Sequence, residues 1–390
     1  MKSVLWIDPI NRDAHFLKLV AEIACYQTDR FKVVTTQRPE MALNSNVPFQ
    51  PFFSQLETIG TGSISILNKL RLISSYYAGF QNIVPQISPD TSILYSSGMS
   101  LPELESLGIQ AIRAKASKVT MLVHNLGDRH SQFSQLSHWR NRRLLKQFDG
   151  WIFLSEYMRQ QALVQLDLPL AKTYVMLHPH FHPMLKDITP DQSLASALHT
   201  FARGRAIMAY ISKVDADHGV DLFYKVLRRG QDQGLPICGV VLGRLGKNWD
   251  LQKDKALIQD SGLTSKQLYV KLGTYTYTEL LAVLLTADFV LAPYRYISQS
   301  GAIALALGEQ VPVVASRVGA NGEMVKDGIN GLLFAPDEID SLIQELSVTY
   351  RTFQSLRKRF LVKPAFNHHL DPWSAVQNML NWLTSGECST

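Results

Sequence analysis

Residues 298–334 read SQSGAIALALGEQVPVVASRVGANGEMVKDGINGLLF. A helix opening at Ser300-Gly301 leaves its first backbone N–H groups, at Ser300, Gly301 and Ala302, without intrahelical partners and turns its positive dipole end outward. That is an anion site, and a diphosphate fits it. The polar side chains just ahead of it, in APYRYISQSG, are Tyr294, Arg295 and Gln299. A second run, AYISKVDADHGVDLFYKVL, carries Lys213 and His218 between a β-rich and a helical pattern. Alone they are a surface lysine and a loop histidine; beside an anion they become charge-assisted donors. Glycines follow β-rich runs at Gly243 and Gly273, the latter close to Tyr275. Glycine permits close approach of backbone to a ligand, or simply an ordinary turn. TMLVHN ends on His124-Asn125. An imidazole there can hydrogen-bond a hydroxyl or shuttle a proton, although a lone strand-end histidine is more often a core or loop residue. HPHFHP alternates His178, His180 and His182, but no Cys or carboxylate set accompanies it and its prolines favour a linker over a metal site. His130 and His138 read as solvated.

These residues need strands and helices to hold them. In the first half the strand candidates are 4–7, 31–35, 93–96, 119–124, 150–154 and 173–177, with helices such as 14–25 and 140–147 between them. In the second half they are 206–211, 237–242, 268–272, 289–292 and 311–315, with helices at 222–230 and 279–285. Solid apolar strands alternating with helices predict parallel sheets covered on both faces, an α/β fold. Pro179, Pro183 and Pro190 break the pattern, so 179–203 reads as an interdomain linker and the lead-in to a second sheet. The expected domains are 1–183 and 184–365, both Rossmann-like, with a last segment 366–390. Thr276 and Glu279 form a capping box, and Pro372 is placed to open a terminal helix. Residues 64–80 have helical apolar spacing with Lys69, Arg71, Tyr76 and Tyr77, which suits a core-facing helix or an interfacial membrane helix.

The 390 residues are 46% hydrophobic and 18% charged, enough for two cores and unlike a disordered chain. Three scattered cysteines make neither a disulfide framework nor a zinc motif, which suits a reducing, cytoplasmic setting. MKSVLWID is a first buried strand rather than a signal peptide, and no apolar run approaches the ~20 residues of a membrane span. Of the net charge of +6, residues 1–183 carry +5 (18 basic, 13 acidic) and the remainder +1 (21 and 20), so the basic excess lies in the N-terminal half. It reads either as a solvated face or as a surface for anionic lipid or a phosphate-bearing acceptor. No nucleic-acid motif accompanies it.

VPVVAS followed by VGANGEMVKDGINGLLF, together with the 209–227 run, resembles the C-terminal half of retaining GT-B glycosyltransferases of the glycosyltransferase-4 type. The likeness spans about 206–350. It implies two doubly wound domains facing a cleft, and a last helix crossing back to the N-terminal domain, with Trp373 and Trp382 as anchors. It puts Lys213 and His218 where the family's arginine and lysine contact the donor phosphate. Lysine lacks the bidentate fork, and histidine makes the contact pH-sensitive. Gly273 and Tyr275 then border the nucleotide base, His124 faces the transferred sugar, and Glu323 lies near the start of a short helix. The family's paired glutamates fall at Ile297 and Leu305, so sugar and ribose contacts pass to Tyr294, Arg295 and Gln299; Glu309 reads as solvated. The glycines usual after the first strand are also missing, leaving Asn11 and Arg12 as side-chain substitutes.

The resemblance implies a hexosyltransferase-type enzyme. It moves a sugar from a UDP- or GDP-linked donor to a hydroxyl of a glycan or lipid-linked acceptor, with retention and with no metal or cofactor beyond the nucleotide sugar. It would work in the cytoplasm, at the inner face of the membrane if the basic surface meets lipid. The missing glutamates leave two alternatives open, a GT-B sugar-nucleotide epimerase and a non-catalytic GT-B partner of an active transferase.

Overall fold

The computed structural model describes residues 3–9, 14–36, 47–53, 66–96, 102–124, 142–246, 249–336, 338–344, 346 and 370–385. The chain divides into two units, 1–177 with 372–390 and 178–371. The first division falls just before HPHFHP, earlier than the expected 183/184, and the second just before Pro372.

Unit 1 is a parallel sheet of β1 (Ser3–Asp8), β2 (Phe31–Thr36), β3 (Phe49–Phe53), β4 (Thr91–Ser96), β5 (Lys118–Val123), β6 (Gly150–Phe153) and β7 (Thr173–Val175), ordered β3-β2-β1-β4-β5-β6-β7. The central strands are solid apolar runs because helices cover both faces. Ile7, Tyr95, Val119 and Phe153 are fully buried in its core. β3 was not anticipated; it is an edge strand that tolerates Pro51. The helix Ile66–Ile83 buries Tyr76, Phe80 and Ile83 against that core while Leu70, Ile73 and Tyr77 remain exposed. It is therefore core-facing on one side, with an apolar stripe on the other.

The helix Pro372–Ser385 belongs to unit 1 and packs on the helix Ala14–Gln27. Trp382 stacks on Tyr174 at 5.5 Å and lies 3.9 Å beneath the Lys118 ammonium. Trp373 meets Tyr26 edge-on and its carbonyl accepts from Gln27 Nε2 at 2.9 Å.

Unit 2 is a parallel sheet of β8 (Ala206–Tyr210), β9 (Ile237–Gly243), β10 (Leu268–Leu272), β11 (Phe289–Ala292), β12 (Val313–Ser316) and β13 (Gly331–Phe334), ordered β10-β9-β8-β11-β12-β13. The strand at 311–315 begins two residues later than expected, and β13 was not anticipated. Nor was the helix Gln192–Ala202, which occupies part of the expected linker. Asp191 caps it, and Leu198 and Ala202 bury on its contact face against the helix Tyr277–Thr286. The capping box at Thr276 and Glu279 is present, with Lys271 bonded to Glu279. In the helix Val220–Asp232, Phe223 and Leu227 are completely buried. Each such side chain contributes ~1.5–3 kcal/mol.

Candidate functional site

In unit 2, β8 and β11 are neighbours although two strands separate them in the chain. Strand order reverses there, and a crevice forms outside the carboxyl ends of such a pair. β8 leads through residues 211–219 to the helix Val220–Asp232, and β11 through 293–300 to the helix Gly301–Gly308. The two loops are locked together. Gly219 has φ +68°, and a Cβ there would sit 1.9 Å from the Pro293 carbonyl oxygen. Only glycine allows both the turn and the approach.

Arg295 ties the same loops. Its Nη1 and Nη2 donate to the two Asp221 oxygens at 2.6 and 2.7 Å, and Nη1 also reaches the Ala216 carbonyl at 2.9 Å. Its backbone N–H donates to Asp217 O at 2.8 Å. Burial alone would raise the Asp221 carboxyl, but the Arg295 hydrogen bonds and charge, with Lys225, hold it below the usual range. The Arg295 fork is thus occupied by Asp221, which the sequence reading did not include in the site.

Ser300 caps the helix Gly301–Gly308. Its Oγ accepts from Ile303 N–H at 3.2 Å and lies 3.2 Å from the Tyr294 hydroxyl. The first intrahelical bond runs from Ala304 N–H to Ser300 O. The amides of Gly301 and Ala302 therefore point out of the helix end. In front of Gly301 there is room, since an added Cβ would meet only Phe181, at 3.9 Å. Tyr294 is buried, which pushes its phenol up. Gln299 is half-buried, and its Oε1 has no hydrogen-bond partner among the described residues.

Across the crevice Lys213 is exposed, and its backbone carbonyl accepts from the Tyr210 hydroxyl at 2.5 Å. His218 is half-buried, 2.6 Å from Asp215 through Nδ1 and edge-on to Tyr294 at 5.5 Å. The structure therefore brings Lys213, His218, Tyr294, Arg295, Gln299, Ser300, Gly301 and Ala302 onto the two loops of the switch point and the helix start that follows them. Gly273 and Tyr275 follow β10, two strands away in the sheet. Gly273 has φ +109° with open space where a Cβ would lie, and Tyr275 is 5.7 Å from the Arg244 guanidinium. Gly243 has a packing reason, because a Cβ there would lie 2.3 Å from Ser212 O.

In unit 1, His124 follows β5, half-buried and edge-on to Phe16 at 5.0 Å. Asn11, Arg12, Asn125, His130 and His138 lie outside the described residues.

Residues 205–351 match the family model of Glycosyl transferases group 1, covering most of unit 2. Residues 205–351 thus form a group 1 glycosyltransferase domain, in a chain of GT-B fold. Anabaena HepE in complex with UDP-glucose is similar to this chain with a TM-score of 0.72 and 17% identity, covering 99% of this chain and 100% of that one. A glycosyltransferase from Rickettsia africae ESF-5 reaches 0.69 at 13% identity, covering 99% of each chain. Sucrose-phosphate synthase from Thermosynechococcus elongatus reaches 0.64 at 16%, covering 98% and 96%. At these identities the likeness is one of fold. No curated protein matches the sequence.

One detail departs from the sequence reading. Glu309 is not solvated: its side chain is only 10% exposed and its Oε1 lies 3.1 Å from His182 Nδ1. The three alternating histidines separate into different roles. His178 Nδ1 contacts the Pro179 carbonyl at 2.9 Å, His182 pairs with Glu309, and burial lowers His180 to about 4. Among the described residues no group of three or more His, Cys, Asp or Glu could hold a metal. No described helix is long and apolar enough to cross a membrane.

Asp215 and Asp221 are the members of the site that sequence reasoning missed. The available signal was Asp-x-x-His at 215–218, a spacing at which a carboxylate can cap the turn and hold the ring.

Proposed function

We propose that unit 2 binds the diphosphate of a UDP- or GDP-linked sugar, and that the enzyme transfers the sugar to a hydroxyl of a glycan or lipid-linked acceptor. The supporting observation is the switch point itself: Lys213 and His218 stand on one loop, and the Ser300-capped helix start follows the other. A leaving nucleoside diphosphate gains negative charge as the glycosidic bond breaks. An ammonium, an imidazole and outward-pointing amides stabilise that charge without reorganising. HepE, in complex with UDP-glucose, shares the fold.

In this reading Gln299 contacts the donor, the buried Tyr294 acts through Ser300, and Gly273 and Tyr275 border the base. Arg295 acts through Asp221 and the loop it anchors. His124 hydrogen-bonds a sugar hydroxyl. The product retains the donor's anomeric configuration. No metal takes part, so chelation leaves turnover unchanged. The setting is polysaccharide or glycoconjugate synthesis at the cytoplasmic face of a membrane, where the exposed Leu70, Ile73 and Tyr77 would meet a lipid-linked acceptor.

A thermal-shift panel of nucleotides and nucleotide sugars tests the reading, followed by donor hydrolysis with the best ligand. A rise in melting temperature with UDP or GDP and their sugars is expected, with slow hydrolysis of one donor. No response to any nucleotide would contradict the donor site. Binding without hydrolysis or transfer would contradict turnover.

A further inference from the structure

His218 is held from two sides. Asp215 Oδ1 accepts from its backbone N–H at 2.9 Å and lies 2.6 Å from its ring Nδ1. The Tyr294 ring meets the imidazole at 82° from the other loop. The Tyr210 hydroxyl donates to the His218 carbonyl at 3.2 Å. Asp215 is itself enclosed, since a Cβ on Gly246 would lie 2.4 Å from its Oδ2, so the glycine after β9 makes room for the carboxylate. The charged groups near the ring are Asp215, Lys213 and Asp217 on its own loop and the Asp221–Arg295 pair beside it. Tyr210 and Tyr294 are the neighbouring phenols.

Burial would raise the Asp215 carboxyl, but the His218 hydrogen bonds and charge, with Lys213, hold it below the usual range. An ionised carboxylate only accepts, so Nδ1 carries hydrogen. In the neutral ring Nε2 then presents a lone pair, which repels an anion. With a proton taken from solvent, Nε2–H becomes a charge-assisted donor.

We propose that Asp215 is a positioning residue for donor recognition, gripping Nδ1–H of His218 so that the ring meets the diphosphate as an imidazolium through Nε2–H, with uptake of one proton on binding. This rests on the donor-site reading above and adds to it a residue and a proton. A fixed carboxylate beside Nδ1 stabilises the charged ring.

Calorimetric titration of the full-length protein with UDP and GDP, at about pH 6 and about pH 8 and in buffers of different ionisation enthalpy, tests the proposal. The terminal phosphate of the nucleotide also titrates in this range. The His218→Gln protein reports that contribution alone. Relative to it, wild type should take up a proton on binding at the higher pH and lose about tenfold in affinity there. Asp215→Asn should bind about tenfold more weakly than wild type near neutrality, with a smaller difference at the lower pH. His218→Lys should keep affinity but lose the proton uptake. Asp215→Asn with wild-type affinity and proton uptake would overturn the proposal. If Asp215→Asn does not fold, the histidine variants decide it: wild-type affinity and proton uptake in His218→Gln would overturn it equally. Nucleotide binding with unaltered variants removes this inference alone; no binding of UDP or GDP to wild type removes the donor-site reading with it.

Discussion

The two sheets share a strand order at their centres and differ in what they place at the switch point. In unit 2 the loops after β8 and β11 carry Lys213 and His218 and lead to an open helix start, and Gly219 against Pro293 and Arg295 against Asp221 lock them together. In unit 1 the described ends of β1 and β4 are Asp8 and Ser96, with Trp6 Nε1 donating to Ser96 Oγ at 2.9 Å. Nearby, buried Glu105 accepts from the Tyr76 and Tyr95 hydroxyls at 3.4 and 3.2 Å. One switch point carries a lysine, a histidine and outward-pointing helix amides among its loop acids; the described strand ends of the other carry a carboxylate and a hydroxyl. The difference teaches that topology chooses where a ligand sits while the loop residues choose its charge.

The largest expected break in this contrast is Gly219→Ala. The added carbon meets backbone at a positive φ, so unit 2 should lose about 3 kcal/mol of stability and its nucleotide binding. Thermal melting with and without UDP reads both effects. His124→Ala should act on the other unit's chemistry, lowering turnover about a hundredfold while leaving nucleotide affinity near wild type. Full turnover would return His124 to a packing role. Lys213→Ala should weaken nucleoside diphosphate binding by about 1.5–3 kcal/mol in calorimetry. Undiminished affinity would remove it from the site.

The smallest effect is on pH dependence. The Asp221 carboxyl is held below its usual value. Its contribution is therefore present above the unfolded carboxylate pKa of about 3.9 and is lost as pH falls through the lower folded value. After solvent screening this amounts to about 1 kcal/mol. Asp221→Asn should flatten the acid limb of the unit 2 melting curve by that amount.

Much of the scaffold was legible. β8, β9 and β11 are solid apolar runs bounded by turn residues, and the capping box at Thr276 marked its helix. β3 and β13 escaped because each is short and at a sheet edge, with Pro51 in one and a glycine turn before the other. The helix Gln192–Ala202 escaped because polar residues dilute its apolar stripe and prolines precede it. In the site, the Ser300-Gly301 helix start was legible from its cap and glycine. The partners of its neighbours were not. Arg295 and Asp221 lie 74 residues apart and meet only when β8 and β11 pair. Asp215 and His218, three residues apart, carried a local signal that went unused.

A crystal structure of the protein with bound UDP tests the central claim most directly. The account predicts the diphosphate at the amides of Gly301 and Ala302, with Lys213 and His218 within hydrogen-bond reach. UDP bound elsewhere, with the Ser300 helix start empty, would contradict it.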